Sequence, residues 1–387
     1  MPYGMDEKLS LPYTVSNNIV DMSKLRDIPG LKTCHNFFNG VFPKFGFKEI
    51  MLLRCVEEEK GVVKSSIKIV MDKKAVKLNI TETQEYLTWN GDGNFWYQFF
   101  GPEDPRIFEF NSRLYIYYTM TNPKRARPYR GIEFIKLEDA VAGSSRGTFL
   151  TPHIFNDGST EVEKNWLFFN NGTNLLALYS LKPYVLAEVE GENLKARIRR
   201  DYQCLDPLQR VHFSSNAIKI NNYGNTEYLF VFNDKYESDN HPKEYFAYLG
   251  FMQSKPPFNL LRISKEPLKL KVNQKRFLFI ESLTVLGKSE LYADKDDIVL
   301  VSGGMDDESI FLEQIRVSAL LNLETQKCGI DNAEFDYFQI GEPCDSTGSP
   351  SLLLSIFVVV TVFLVWFQRN GYWRRRPNKK KNKQFCN

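Results

Sequence analysis

The sequence predicts an all-β fold, a five-bladed β-propeller, followed by one C-terminal transmembrane helix. Three observations carry this expectation. The chain holds 30 Phe and 19 Tyr, and aromatic residues suit a pleated, half-buried surface. Strand-like runs recur at residues 49–56 (EIMLLRCV), 113–120 (RLYIYYTM), 174–181 (NLLALYSL), 227–234 (EYLFVFND) and 297–304 (DIVLVSGG). Their starts lie roughly 50–70 residues apart, which suits a four-stranded blade better than a hairpin repeat. Neither a long amphipathic helix nor a strand–helix–strand alternation is visible, which argues against a parallel sheet.

The organisation follows in chain order. Residues 1–33 show no strong period and read as an N-terminal extension. Residues 34–335 form the propeller, with Asn-, Gly- and Asp-rich turns such as FNSR, NNGT, NNYGNT and ADKDD ahead of the strands. Residues 336–350 are a short stalk. Residues 351–367 (SLLLSIFVVVTVFLVWF) are uncharged and almost wholly apolar, about the length a helix needs to cross a thin bilayer. Trp366 and Trp373 fall where interfacial aromatics belong.

Residues 368–387 form a basic tail with Arg369, Arg374, Arg375, Arg376, Lys379, Lys380, Lys381 and Lys383 and no acid. The formal net charge is +3, so without this tail the folded part is acidic and offers no nucleic-acid surface. The positive-inside bias puts the tail in the cytosol and the propeller in the secretory lumen or outside the cell. No cleavable signal peptide is visible at the N-terminus, which leaves a tail-anchored cytosolic domain as the alternative. The sequons at Asn79 and Asn171 fit the lumenal reading. Six cysteines are scattered without a metal-type pair; Cys328, ahead of the stalk, and Cys344, within it, are candidates for a disulfide.

The richest stretch for chemistry is residues 101–119, GPEDPRIFEFNSRLYIYYT. Asp104 stands between Glu103 and Pro105, where the proline-fixed backbone can hold it rigidly. Arg106 can orient a carboxylate or bind an anion. Further on, Glu163-Lys164-Asn165-Trp166 puts a cation beside an indole. In the segment SGGMDD two glycines allow close backbone approach ahead of Asp306. Plain alternatives exist for each: an Asp-Pro turn with a surface salt bridge, a surface ion pair beside a buried Trp, and a β-turn.

The 101–119 stretch resembles the EDPR-then-strand signature of glycoside hydrolase family 130, the β-mannoside phosphorylases. It is also similar to the related β-1,2-mannosyltransferases and phosphorylases of glycosyltransferase family 108. The resemblance implies a five-bladed propeller, runs through most of residues 34–320, and is concentrated in the motifs. It implies that Asp104 is the catalytic acid. It further implies sugar contacts from Asn39, from Arg54 in MLLRC, from Lys164 and Asn165, and from Asp306, with Glu103, Arg106 and Asp234 as further substrate-binding candidates.

The chain departs from the family where phosphate is held: residues 232–234 read Phe-Asn-Asp where a histidine is expected. His212, Arg125, Arg127 and Arg130 are substitute phosphate contacts. Expected partners are therefore a glycan, phosphate or an activated sugar donor, and a lipid bilayer through residues 351–367. No cofactor or metal is expected, since the four histidines are dispersed and no dinucleotide, P-loop or metallohydrolase motif occurs.

Two other classes remain open at this point. One is a hydrolase using two carboxylates among Glu103, Asp104, Asp234 and Asp306. The other is a non-catalytic propeller that binds glycans or proteins.

Overall fold

The computed structural model describes residues 15–16, 19–41, 44–45, 48–59, 62–79, 101–121, 130–144, 147–152, 165–222, 224–238, 241–271, 278–286, 293–305 and 309–336. All of them belong to the unit Met1–Gln339. Among them five sheets follow one another along the chain, antiparallel except where Thr151–Pro152 runs parallel to Asn193–Tyr202. In the first four, four successive stretches of chain pair edge to edge as a meander; the fifth has three such stretches and takes its outer strand from the N-terminal segment.

The second strands of the five sheets are Lys48–Glu59, Arg113–Thr121, Leu175–Leu181, Asn225–Ser238 and Ile298–Met305. These coincide with the five runs read from the sequence. A second strand is hydrogen-bonded along both edges and covered on both faces, so its sequence becomes a short, nearly unbroken apolar run.

Period two then decides which neighbour each side chain meets. On Arg113–Thr121, Ile116, Tyr118 and Met120 join a cluster with the first sheet. Tyr117 faces the other way, into a cluster with the third sheet. Further apolar clusters join the third sheet to the fourth, the fourth to the fifth and the fifth back to the first. The sheets are therefore blades in a closed ring: this is a five-bladed propeller.

Both ends of the described chain are stitched onto the ring. Ile19–Val20 pairs with Ser309–Arg316 and adds the outer strand of the fifth blade. The segment expected as an extension thus contributes to closure, and it also supplies a short helix, Met22–Arg26, capped by Asp21. After the fifth blade, Thr325–Lys327 pairs with Leu260–Ser264 of the fourth. Ile330–Asp336 then pairs with Asn193–Tyr202 of the third.

Two disulfides fasten these seams. Cys34–Cys55 ties the N-terminal segment to the second strand of the first blade, and Cys204–Cys328 ties the C-terminal segment to the third. The Cys328–Cys344 pairing expected from sequence is corrected by this result. Cys328 lies where the returning chain crosses Cys204, a neighbour that sequence spacing could not reveal. A trio of the buried Cys34 and Cys55 with the half-buried Glu57 has metal-like proximity, but its two sulfurs are spent on the disulfide.

No helix among the described residues is long and apolar enough to cross a membrane. The stalk, residues 351–367 and the basic tail lie outside the described residues.

Cys328→Ser should destabilise the propeller by about 2–4 kcal/mol through loss of the cross-link, read as a lower urea midpoint. Cys344→Ser should leave that midpoint unchanged.

Candidate active site

The first strand of every blade borders the axis. Those of the first, second, third and fifth blades are Asn36–Val41, Glu103–Phe110, Leu167–Asn170 and Leu278–Val285. Residues 211–222 play this part in the fourth, as two short strands pairing with Asn225–Ser238. Glu103–Phe110 has contacts with the first strands of the first, third and fifth blades. The fifth blade is not its neighbour in the ring, so that contact spans the axis. In an antiparallel meander, first strands begin and second strands end on the same face of the ring. Asp104, Asn165 and Met305 share that face.

Asp104 sits at a break in the ladder. Glu103 pairs with Thr119 and Arg106 with Tyr117, so Asp104 and Pro105 form a bulge opposite Tyr118. Proline donates no ladder hydrogen bond and is tolerated at a bulge. Asp104 adopts a left-handed φ of 52°, a conformation that costs a non-glycine residue on the order of 1–3 kcal/mol and clusters at functional sites. Just upstream, Gly101 has a φ of 102°. A Cβ there would lie 1.9 Å from the Ser65 carbonyl oxygen, so only glycine lets this segment press against the first blade. Ser65 completes the clamp by donating its hydroxyl to the Pro102 carbonyl at 2.6 Å.

The charges around Asp104 alternate in sign. Arg54, on the second strand of the first blade, donates to Asp104 Oδ1 at 3.1 Å and to Ser65 Oγ at 3.0 Å. It also pairs with Glu103 at 2.9 Å. Arg106, only 1% exposed, donates its Nε to Glu281 Oε2 at 3.0 Å and its Nη2 to Asn165 Oδ1 at 2.9 Å. Its guanidinium also lies 5.7 Å from the Phe279 ring centroid. Asn165 holds a left-handed φ of 63° just ahead of the third blade's first strand. Side chains from four blades thus meet at the axis.

Glu281 was not foreseen. It is fully buried and lies where the fifth blade's first two strands shift register, between Ile280 and Ser282. Opposite this shift stands Gly303, where a Cβ would meet the Phe279 carbonyl oxygen at 1.9 Å. The close approach expected from the paired glycines of SGGMDD is present at that residue. Burial pushes the Glu281 carboxyl up to about 8, the nearby Arg106 pulls it down, and the Asp104 charge pushes it further up. The sequence signal was an acid inside the otherwise apolar strand LFIESLTV.

The other expected site residues divide into two groups. Asp234 accepts the backbone N–H groups of Gln209 and Arg210, each at 2.9 Å, and so pins the chain entering the fourth blade. His212 pairs in register with Asn233, whose amide is fully buried and has no hydrogen-bond partner among the described residues. The side chains of Asn39 and Arg130 lie outside the described residues, as do Lys164, Asp306, Arg125 and Arg127 entirely.

Fold and site together define a closed five-bladed propeller with an ion-paired acidic residue at its axis. No protein-family model matches the chain, and no curated protein matches it in sequence. Solved structures to which it is similar include one from the GH130 family of mannoside phosphorylases, described as containing glycoside hydrolases that target β-1,2 mannosidic linkages in Candida mannan. The identity there is 16%, over 73% of this chain and 85% of that one, with a TM-score of 0.48. A mannose phosphorylase from Leishmania mexicana in complex with phosphate ion is 9% identical, over 80% and 90% of the two chains, with a TM-score of 0.43. A GDP-Man-dependent mannosyltransferase from the same organism is 10% identical, over 74% and 86%, with a TM-score of 0.44.

The upward shift of Glu281 fixes a sign for stability. A carboxyl that binds its proton more tightly when folded contributes fully below the unfolded value, 4.5, and loses that contribution as pH rises toward about 8. Wild type should therefore lose stability relative to Glu281→Gln between pH 5 and 8.5, measured as urea midpoints. A difference that stays constant with pH would contradict the assignment.

Proposed function

We propose that this chain is a carbohydrate-active enzyme of the inverting mannoside-phosphorylase or mannosyltransferase type, with Asp104 as its single catalytic carboxyl. The observation that carries the reading is the strained, proline-backed Asp104 at the axis, oriented by the Arg54 guanidinium. It stands in the EDPR motif on which the family resemblance rests. A group held in an unfavourable backbone conformation by three neighbouring elements is preorganised for a task, not merely tolerated.

In phosphorolysis, Asp104 delivers its proton to the glycosidic oxygen as the bond to the anomeric carbon breaks. Phosphate attacks that carbon from the opposite face, giving mannose 1-phosphate and the freed hydroxyl. Because the nucleophile arrives as an anion, no second catalytic carboxylate is required. In the transfer direction Asp104 accepts the proton of the acceptor hydroxyl as its oxygen attacks the donor. Arg54 and Arg106 are already bound to carboxyl groups. Phosphate or a donor phosphate therefore calls for further cations, for which Lys164, Arg125, Arg127 and Arg130 are the candidates.

The two-carboxylate hydrolase is the less favoured reading. Glu281 is the acid facing the second blade across the axis, and it is bound directly by Arg106. A water-activating base would instead have to be open toward substrate.

The compartment belongs to the same proposal. Two disulfides in the propeller support an oxidising environment. With residues 351–367 as the span, the propeller would be lumenal or extracellular and the basic tail cytosolic. In sealed microsomes, added protease should remove the tail and leave the propeller intact; a digested propeller would reverse this topology.

The activity itself is tested by product analysis. β-Mannosides are supplied with and without phosphate, and activated mannose donors are supplied with mannosyl acceptors. Asp104→Asn should lower turnover about 10²–10⁴-fold, the usual worth of general acid–base catalysis, while the variant stays folded. Full activity in that variant would remove Asp104 from its role.

A further inference from the structure

The reaction proposed above makes no use of Glu281, yet this residue is fully buried beside the axial cluster. One of its oxygens accepts from Arg106. The other, Oε1, is sealed from solvent and has no hydrogen-bond partner among the described residues. The strand carrying it breaks register at that residue, opposite a glycine that admits the kinked backbone. A buried ion pair is rarely the most stable filling for such a space, and apolar side chains of similar volume usually do as well or better. The costs gathered here point to a role other than holding the fold together.

Glu281 and Asp104 are electrically linked. Asp104 acts on the titration of both Glu281 and Arg106, and Arg54 acts on Glu281 as well. Tyr117 of the second blade feels the charge of Glu281, and its own hydroxyl is pushed up to about 12 by burial. The strands Asn36–Val41 and Ile298–Met305, which pack on the same segment, bring no titratable side chain. From the fourth blade, Tyr245 reaches the neighbouring ring of Phe279 at 5.6 Å. Burial acts most strongly on Glu281, and the charged groups that act on it, Arg106, Asp104 and Arg54, are those that hold or adjoin the catalytic carboxyl.

We propose that Glu281 is a positioning residue for Asp104: it holds the Arg106 guanidinium from across the axis, and by gaining or losing its own proton it sets the pH range over which Asp104 works. The inference rests on Asp104 being the reacting group. With Glu281 protonated, Arg54 stays paired with Glu103 and Asp104, Arg106 donates to Glu281 and Asn165, and Glu281 adds no negative charge to the site. When Glu281 loses its proton, a third negative charge stands near Asp104. Like charges in a shared site titrate as a coupled set, so Asp104 then holds its proton to higher pH. Reciprocally, removing the Asp104 charge makes Glu281 easier to ionise.

The test reads that reciprocity in the ligand-free protein, so it does not depend on any substrate. Infrared titration follows the carbonyl stretch of protonated carboxyls, and Glu281→Gln identifies the band that belongs to Glu281. The expected result is a band that disappears in the neutral to mildly alkaline range in wild type. In Asp104→Asn its midpoint should move to lower pH. An unmoved midpoint, or the absence of any Glu281 band above the ordinary carboxylate range, overturns the proposal even if the enzyme turns over mannosides.

Where turnover is found, the pH profile of kcat/KM adds a second reading. Glu281→Gln keeps an oxygen to accept from Arg106 but cannot ionise. It should lose the limb of the profile that coincides with the Glu281 midpoint. A Gln variant whose profile superimposes on wild type overturns the proposal. Failure of every mannoside and donor would instead sink the functional reading while leaving the infrared result to stand on its own.

Discussion

The contact between Arg106 and Glu281 joins two blades that are not neighbours in the ring. Between neighbouring blades the seams are mainly apolar: each blade packs its side chains against the next, and five such clusters close the circle. Apolar seams fix blade spacing but say little about the axis, where the first strands converge with few partners. There the order comes from charge. Arg106 reaches across to Glu281 and sideways to Asn165, while Arg54 reaches in from the first blade to Glu103 and Asp104. Within this arrangement Asp104, in its left-handed backbone conformation, accepts from Arg54.

Much of this fold was legible in the sequence because second strands are buried on both faces. Leu52, Leu53, Phe230, Val231, Val299 and Val301 are all at 2% exposure or less, and such segments announce themselves as apolar runs. The innermost strands are less visible. Glu103–Phe110 was found by its EDPR motif and Leu278–Val285 was not found at all. The returning strands after the fifth blade were equally hidden, since Thr325–Lys327 and Ile330–Asp336 carry no apolar alternation of their own and pair through the backbone.

The site was legible in part and for a similar reason. Arg54, Glu103, Asp104, Arg106 and Asn165 were all singled out, and the structure places Arg54 against Glu103 and Asp104, and Arg106 against Asn165. Each lies in a segment whose residue types are unusual for their setting. Glu281 escaped because its significance lies in a partner 175 residues away, and one acid in a strand has no meaning until that partner is known. Asp234, another candidate acid, accepts two backbone amides at the start of the fourth blade, a partnership invisible in the sequence.

The strand that seals the fifth blade comes from residues 19–20, near the start of the described chain, and pairs with residue 311. A ribosome therefore releases the sealing strand first and its partner last. The ring must stay open until the fifth blade is made, and the sealing contact has almost the greatest sequence separation this ring allows. Contacts of that kind form slowly, and the unpaired edges exposed meanwhile invite wrong pairings. For this chain, the vulnerable period is the time between making the first blade and completing the fifth. A covalent bond between Cys34 and Cys55, which joins segments close in sequence, can form early in that interval and keep the N-terminal segment near its final place.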